Sequence, residues 1–288
     1  MSRFLAAAAT TCLFALTLVA PAAAAGDPEI AALQVGLRQK GFYAGTVDGV
    51  LGESTANAVR RLQRRARIDV DGVPGPRTKA ALGLFGKRAP LGKRILVTDA
   101  RGWDVAALQF ALASHGFPSG NLDGHFDVST ERALKQFQVW AGLPADGRAG
   151  SVVVTALKAP APTCPVTLAP PVAGPYTDVF GPRGNRFHGG LDYPAPSGTP
   201  VSASAAGRVT FAGWSLGGWG NLVVVAHAAG ARTSYAHLSQ VGVRVGQPVE
   251  SGQRLGRVGS SGNSTGPHLH FEVHVRGAAV DPLSGLRR

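Results

Sequence analysis

The hydrophobic pattern of the chain changes its period once, and the change separates two kinds of predicted structure. Between residues 28 and 160, apolar residues recur at intervals of three and four, as in Ile30, Leu33 and Leu37, which is the spacing of one helix face. From residue 176 onward, short runs rich in β-branched residues alternate with glycine-rich turns. Such runs are typical of antiparallel strands. The pattern predicts a multidomain α + β protein, with helices followed by a mainly antiparallel β domain.

The helical half contains one sequence repeated at a constant offset of 75 residues. The segment LQVGLRQKGFYAGTVDGVLGESTANAVRRLQ (33–63) matches LQFALASHGFPSGNLDGHFDVSTERALKQFQ (108–138). A fixed internal period indicates copies of one structural unit. We therefore expect two modules of the same fold, at residues 28–85 and 103–160.

Turn and cap signals divide each module into three helices. A glycine, Gly41 or Gly116, ends the first predicted helix as a C-cap glycine does. An Asp-Gly turn follows, and a second helix begins at Ser-Thr, at Ser54 or Ser129. Another Asp-Gly turn leads to a short third helix. Each module is thus predicted to be a small three-helix unit, near the lower size limit for an independent core.

The repeated residues follow the pattern LQ…L…GF…G…DG…G…T…A…Q…DG…T…AL. This pattern resembles that of the peptidoglycan-binding modules of many bacterial wall hydrolases. The resemblance implies that each module binds the cell wall through a groove. Within this pattern, the second copy has Asp127 where the first has Gly52. Most matching residues are turn and core positions that report only the fold, so modules that act as spacers are the alternative.

Two further segments are expected to lie outside the folded domains. Residues 1–25 have a basic start, an apolar run and small residues before the expected cleavage point, which is the layout of a secretory signal peptide. Residues 158–175 contain six prolines, and we expect 161–175 to be an extended linker with no packed core. The predicted β domain then occupies residues 176–288.

Histidines and a carboxylate in the β domain form a candidate metal site. His188 and Asp192 are four residues apart in FHGGLDYP, and HLHFEVHV places His268, His270 and Glu272 on one face of a strand. His274 continues that row. Two histidines and a carboxylate are the ligands of many catalytic zinc sites, which keep a fourth position for water. Together the motifs favour a metal site over purely structural histidines.

The β domain contains, in this order, the motifs FGPRGNRFHGGLDYP, GWGNLVVVAH, TSYAHLS and SSGNSTGPHLHFEV. In these motifs and in their order, the domain closely resembles the lysostaphin-type zinc endopeptidases. The similarity runs from about Asp178 to Asp281. It implies that one zinc ion is bound by His188, Asp192 and His270. It implies catalytic roles without metal contact for His237 and His268. The sequence does not determine which of these two accepts a proton, and we expect His268 to be the general base.

Charge and cysteine content narrow the partners of the chain. The formal net charge is +12, which suits an acidic cell envelope, and the secretory signal argues against nucleic acid as the partner. Beyond the signal peptide, Cys164 is the only cysteine, so no intramolecular disulfide can form. We expect a monomer with no membrane span, secreted and associated with the cell wall.

These observations predict a secreted zinc metalloendopeptidase that cuts peptide stems or cross-bridges of peptidoglycan. The modules would hold it on the wall and raise the local substrate concentration. One alternative is a noncatalytic wall-binding protein or amidase activator with a vestigial site. Another is a peptidase that acts on host proteins or glycine-rich peptides, with the modules as spacers.

Overall fold

The computed structural model describes residues 26–287, and the predicted signal peptide at 1–25 lies outside them. In the described part, six α-helices come first and eleven β-strands follow. The predicted fold class, helical modules before a mainly antiparallel β domain, is therefore confirmed. Between residues 26 and 287, no helix has the length and apolar character needed to cross a membrane.

Each module has the three predicted helices. They are α1 (Pro28–Gln39), α2 (Glu53–Ala66), α3 (Pro76–Ala81), α4 (Trp103–Ser114), α5 (Val128–Trp140) and α6 (Ser151–Ala156). The second helix of each module begins one residue before the predicted Ser-Thr. In the second module the Asp127 side chain accepts a hydrogen bond from the Thr130 amide at 2.8 Å and caps α5. Gly52, its counterpart, has no side chain to cap α2.

A buried glutamine joins a helix to an Asp-Gly turn in both modules. Gln109 Nε2 donates to Asp123 Oδ1 at 3.1 Å and to Thr130 Oγ1 at 3.2 Å. Gln109 Oε1 accepts from the Gly124 amide at 2.8 Å. Gln34 makes the corresponding bonds in the first module. Because a buried amide must find partners inside the protein, the repeated Gln, Asp, Gly and Thr positions are explained by folding.

Replacing Gln109 with leucine is expected to lower the free energy of unfolding of the second module by about 2–4 kcal/mol, because buried partners lose their hydrogen bonds. Hydrogen exchange of the amides in α4 and α5 would measure the loss. Gln136→Leu is the matched control, since Gln136 is exposed on α5, and it should change stability by less than about 0.5 kcal/mol. Equal protection in Gln109→Leu and the wild type would contradict the structural role.

The β domain combines a hairpin with one antiparallel sheet. The hairpin strands are β1 (Gly181–Arg183) and β2 (Arg186–His188). The sheet strands are β3 (Gly190–Pro194), β4 (Pro200–Ser202), β5 (Gly207–Ser215), β6 (Gly220–Ala226), β7 (Ala231–Val241), β8 (Pro248–Val249), β9 (Arg254–Val258), β10 (His268–Val275) and β11 (Ala278–Val280). Strand β10 lies between β7 on one side and β3 followed by β11 on the other. It is therefore the central strand beneath the candidate site.

Strand β10 alternates as its sequence predicts. Leu269, Phe271 and Val273 are fully buried in the core of the β domain. His268 and His270 point to the opposite face and are only partly buried. One face of β10 thus stabilises the fold, and the other presents polar groups to a cleft.

The proline-rich stretch packs on the β domain, contrary to the expectation of a linker with no packed core. Leu168 and Val172 are buried in the hydrophobic core of the β domain. The Leu168 amide donates to the Gly285 carbonyl at 2.7 Å, and its carbonyl accepts from the Arg287 amide at 2.8 Å. Apolar residues between the prolines allow this extended segment to add to the domain surface, which composition alone did not reveal.

The second module also packs directly on the β domain. Ala278 of β11 is buried in the core of that module. The Ala279 amide donates to the Gly116 carbonyl at 3.0 Å. A Cβ atom at Gly116 would lie 2.0 Å from the Ala279 carbonyl oxygen, so the contact requires glycine. The glycine that ends α4 therefore has a second role at this interface.

Candidate metal centre

Three neighbouring strands bring His188, Asp192 and His270 to one place. His188 ends β2, Asp192 lies in β3, and His270 lies directly opposite Asp192 where β3 pairs with β10. A Cβ atom at Gly190 would lie 2.1 Å from the Phe271 carbonyl oxygen. The glycine pair between His188 and Asp192 therefore lets β3 approach β10 closely.

The side-chain atoms of these three residues converge. His270 Nδ1 lies 2.7 Å from Asp192 Oδ1, and His188 Nε2 lies 3.2 Å from the same oxygen. The two nitrogens are 3.1 Å apart. Atoms bound tetrahedrally to zinc at about 2.0–2.1 Å lie roughly 3.3 Å from one another. The spacing in the chain is thus close to that of a three-ligand zinc site.

Hydrogen bonds on the outer side of each ring determine which nitrogen is free to bind a metal. His188 Nδ1 donates to the Val179 carbonyl at 2.9 Å, since a carbonyl can only accept. His270 Nε2 donates to Glu272 Oε1 at 2.9 Å. In the neutral rings that a metal ion requires, the lone pairs therefore lie on His188 Nε2 and His270 Nδ1, the atoms that face Asp192. These residues fit a zinc ion.

The electrostatics of the metal-free centre indicate a place for a positive charge. Burial alone would raise the pKa of Asp192, but hydrogen bonds from His188 and His270 outweigh it and hold that pKa well below its usual range. Burial would lower the pKa of His270, yet its hydrogen bonds with Asp192 and Glu272 raise it to about 9. Carboxylates therefore favour a cation between the rings, and a metal ion would take the place of the proton.

Glu272 connects the centre to His274. Its carboxyl group is buried, and its Oε2 lies 2.6 Å from His274 Nε2. Burial would raise the pKa of Glu272, but hydrogen bonds from His270 and His274 lower it. The sequence left the roles of Glu272 and His274 uncertain. The structure places Glu272 behind His270, where it orients the ring, and pairs His274 with Glu272.

Glu272→Gln is expected to weaken zinc binding by about 10- to 100-fold, the usual cost of losing a group that orients a metal ligand. Competition with a chromophoric chelator would measure the affinity. Glu250→Gln removes the same charge from an exposed position of the same domain and should leave the affinity unchanged. Zinc affinity equal in Glu272→Gln and Glu250→Gln would show that Glu272 has no orienting role.

His268 faces the metal centre, but it does not belong to the three residues whose side-chain atoms converge there, His188, Asp192 and His270. Its Nδ1 donates to the Gly266 carbonyl at 2.8 Å, so Nε2 carries the lone pair. That Nε2 lies 3.9 Å from Asp192 Oδ1, beyond hydrogen-bonding distance. His268 is therefore placed to exchange a proton with a molecule bound next to the metal centre.

His237 lies beside His268 in an unusual backbone conformation. Its φ angle is +60°, in the left-handed region that few residues other than glycine adopt. The two rings have centroids 4.8 Å apart, and His237 Nδ1 donates to the Ser261 carbonyl at 2.8 Å. Burial lowers the pKa of His237, although the Ser261 carbonyl opposes this change. All five residues singled out in the sequence thus meet at one site.

An open cleft of about 800 Å³ surrounds these residues. Trp219 lines the cleft, with its ring centroid 5.5 Å from that of His270. Tyr235 does not line the cleft and is fully buried in the core of the β domain. Arg183 also lines the cleft and was not singled out in the sequence. Its position in FGPRGNRFH, five residues before the predicted ligand His188, could have identified it as a residue of the cleft.

Two other histidines, His227 and His115, lie outside the cleft. His227 follows β6 and bonds with the Ala206 carbonyl and Thr233 Oγ1. His115 bonds with two backbone carbonyls at the end of α4. These contacts hold the backbone and give neither histidine a place in the metal centre.

Fold and site together are those of a metallopeptidase domain. Residues 186–282 match the family model described as Peptidase family M23, and this domain belongs to that family. Residues 26–82 and 101–157 each match the model described as "Putative peptidoglycan binding domain". The chain thus carries two modules of that second family followed by an M23 peptidase domain. This is the organisation that the sequence motifs predicted.

Several proteins are similar to the peptidase domain. The DD-carboxypeptidase/endopeptidase Mpg of Neisseria meningitidis serogroup B is 52% identical over 99 residues, which cover 34% of this chain and 23% of that protein. The murein hydrolase activator NlpD of Escherichia coli is 37% identical over 118 residues, or 40% of this chain and 30% of that protein. The chain thus matches less than a third of the length of either relative.

Among solved structures, the catalytic domain of the antimicrobial peptidase lysostaphin from Staphylococcus simulans is 38% identical in the matched part. The match covers 38% of this chain and 89% of that chain, with a TM-score of 0.36.

Proposed function

We propose that the chain is a zinc-dependent endopeptidase that hydrolyses peptide stems or cross-bridges of bacterial peptidoglycan. The observation that carries the proposal is the convergence of His188 Nε2, Asp192 Oδ1 and His270 Nδ1, with both imidazole protons held on the outer nitrogens. Two further imidazoles lie at the same cleft. Structural histidines have no need for this arrangement of lone pairs.

Zinc held by these three residues would polarise the peptide carbonyl and lower the pKa of water to about 7. His268 accepts the proton of the attacking water at Nε2, because that nitrogen has a free lone pair and faces the centre. The same nitrogen then delivers the proton to the departing amine. The hydrogen bond from Nδ1 to Gly266 keeps the ring in the orientation that both steps need.

His237 supports the reaction from the other side of His268. Its lowered pKa keeps it neutral near pH 7, so it does not repel protonated His268. In that neutral form its Nε2 carries the lone pair, because Nδ1 donates to the Ser261 carbonyl, so Nε2 would accept a hydrogen bond from the attacking water or the substrate and orient it. The left-handed backbone of His237 is consistent with such a role, since strained residues concentrate at active sites.

We further propose that a signal peptide in residues 1–25 exports the chain and that the two modules hold it on the cell wall. The matches of both modules to a peptidoglycan-binding family support the wall-binding part of this proposal. The full chain should sediment with purified peptidoglycan, and soluble peptidoglycan fragments should release it. If the chain stays in the supernatant, the modules do not bind the wall and act as spacers.

A second candidate function is that of a noncatalytic activator of other wall hydrolases. The similarity to the murein hydrolase activator NlpD favours it. The five histidine and aspartate positions support the peptidase instead, because each side chain has the contacts that hydrolysis needs. An activator has no use for proton-transfer groups oriented toward a metal centre.

Mass spectrometry of fragments released from purified peptidoglycan of known composition tests the proposed reaction. The zinc-loaded chain alone should create new amino termini at one type of peptide bond. Fragments that appear only after a second hydrolase is added would support the activator instead.

A further inference from the structure

Arg183 is a cation in the cleft with unused hydrogen-bond donors. It ends β1, and its Nη1 donates to Asp178 Oδ2 at 2.7 Å and contacts Asp192 Oδ2 at 3.4 Å. Within residues 26–287, its Nε and Nη2 have no protein partner, and the side chain is 54% exposed. It is the only lysine or arginine among the described residues that line the cleft.

Both modules hold the hairpin that carries Arg183. The Val47 amide donates to the Gly184 carbonyl at 2.8 Å, and the Leu122 amide donates to the Asn185 carbonyl at 2.7 Å. Val47 and Leu122 occupy equivalent positions in the two repeats, 75 residues apart. The turn between β1 and β2 therefore lies between the same loop of each module.

Side chains from these loops strengthen the contact. Asn121 Oδ1 accepts from Arg186 Nε at 2.9 Å, and Thr46 Oγ1 accepts from the Gly184 amide at 3.4 Å. Thr46 and Asn121 are again equivalent in the repeats. A hairpin held from two sides needs little reorganisation when a ligand binds. The position of Arg183 is thus determined before substrate arrives.

The free edge of the guanidinium suits a carboxylate. Nε and Nη2 lie side by side, and such a pair binds both oxygens of a carboxylate at once. Asp178 and Asp192 contact only Nη1, so they hold the group without occupying that edge. Peptide stems of peptidoglycan carry free carboxylates, whereas glycyl bridges between stems are neutral.

We propose that Arg183 binds a free carboxylate of the peptide substrate beside the bond to be cut, and that the site thereby selects acidic stem peptides over neutral bridges. The proposal rests on the proposed peptidase function and specifies its substrate class. It also gives the modules a role in the site itself, since they fix the hairpin that presents Arg183.

Two soluble peptides that differ only in a terminal carboxylate or carboxamide test this role. The zinc-loaded full chain should cleave the acid with a kcat/KM about 10- to 100-fold higher than the amide, the usual effect of a charge-assisted hydrogen bond. Arg183→Ala should bring the ratio close to one, and Arg183→Lys should restore only part of it, because lysine lacks the paired donors.

Arg186→Ala is the matched control. It removes the same charge from the same hairpin, but Arg186 faces Asn121 of the second module, and the two backbone bonds to the turn remain. The acid-to-amide ratio should therefore stay at its wild-type value. A ratio near one in the wild type, or one unchanged in Arg183→Ala, would overturn the proposal.

Peptide binding separates this proposal from the peptidase function. If the zinc-loaded chain cleaves neither peptide, binding can still be followed through tryptophan fluorescence, since Trp219 lines the cleft. Tighter binding of the acid that disappears in Arg183→Ala supports the carboxylate site. Equal binding of acid and amide to the wild type refutes it, whatever the activity.

Discussion

Replacing His270 with alanine is expected to abolish zinc binding and peptidase activity together. His270 supplies one of three converging atoms, and its ring is held by both Asp192 and Glu272. Loss of a group that only orients a ligand already costs about 10- to 100-fold in metal affinity, so loss of a ligand should cost more than about 100-fold. Metal content after dialysis and cleavage of a soluble peptide measure the two effects.

His125→Ala is the control for this variant. His125 lies in the second module and contacts Arg101, so its removal should leave zinc content and turnover unchanged. Zinc bound to His270→Ala as tightly as to the wild type would remove His270 from the ligand set.

His268→Ala is expected to separate metal binding from turnover. Because His268 Nε2 lies 3.9 Å from Asp192 Oδ1 and is not one of the three converging atoms that would bind the metal, the variant should retain one zinc per chain. Loss of a proton-transfer group should lower kcat by about 10²- to 10⁴-fold. Zinc stoichiometry and single-peptide kinetics give both numbers from one preparation.

The outcome for His268→Ala also bears on His237. Full turnover in His268→Ala would refute its role as general base and leave His237 as the imidazole at the cleft that is not a proposed metal ligand. A matched His237→Ala variant should retain zinc as well, and comparison of the two kcat values would rank their contributions.

Local periodicity predicted much of the fold and the site. The alternation in HLHFEVHV determines which side chains of β10 enter the core and which face the cleft, and the structure follows it. The two copies of the helical module were evident from the 75-residue offset. Both features are patterns along the sequence itself, so they can be recognised without knowing which distant residues come into contact.

Features that depend on side-chain rotamers or on long-range pairing were not predicted. The bond between Glu272 and His274 depends on rotamers that alternation does not specify. Burial of Leu168 depends on the Gly285 region, more than 100 residues away. Contacts of both modules with the turn at Gly184 depend on how separate domains pack, and no pattern within one domain indicates them.

Clearing of purified peptidoglycan by the chain alone tests the central claim most directly. The zinc-loaded full chain should reduce the turbidity of a peptidoglycan suspension, a chelator should stop the reaction, and added zinc should restore it. The same preparation of His270→Ala should leave the suspension unchanged. A suspension that stays turbid with zinc-loaded wild-type chain and clears only when another hydrolase is added would contradict the peptidase and identify an activator.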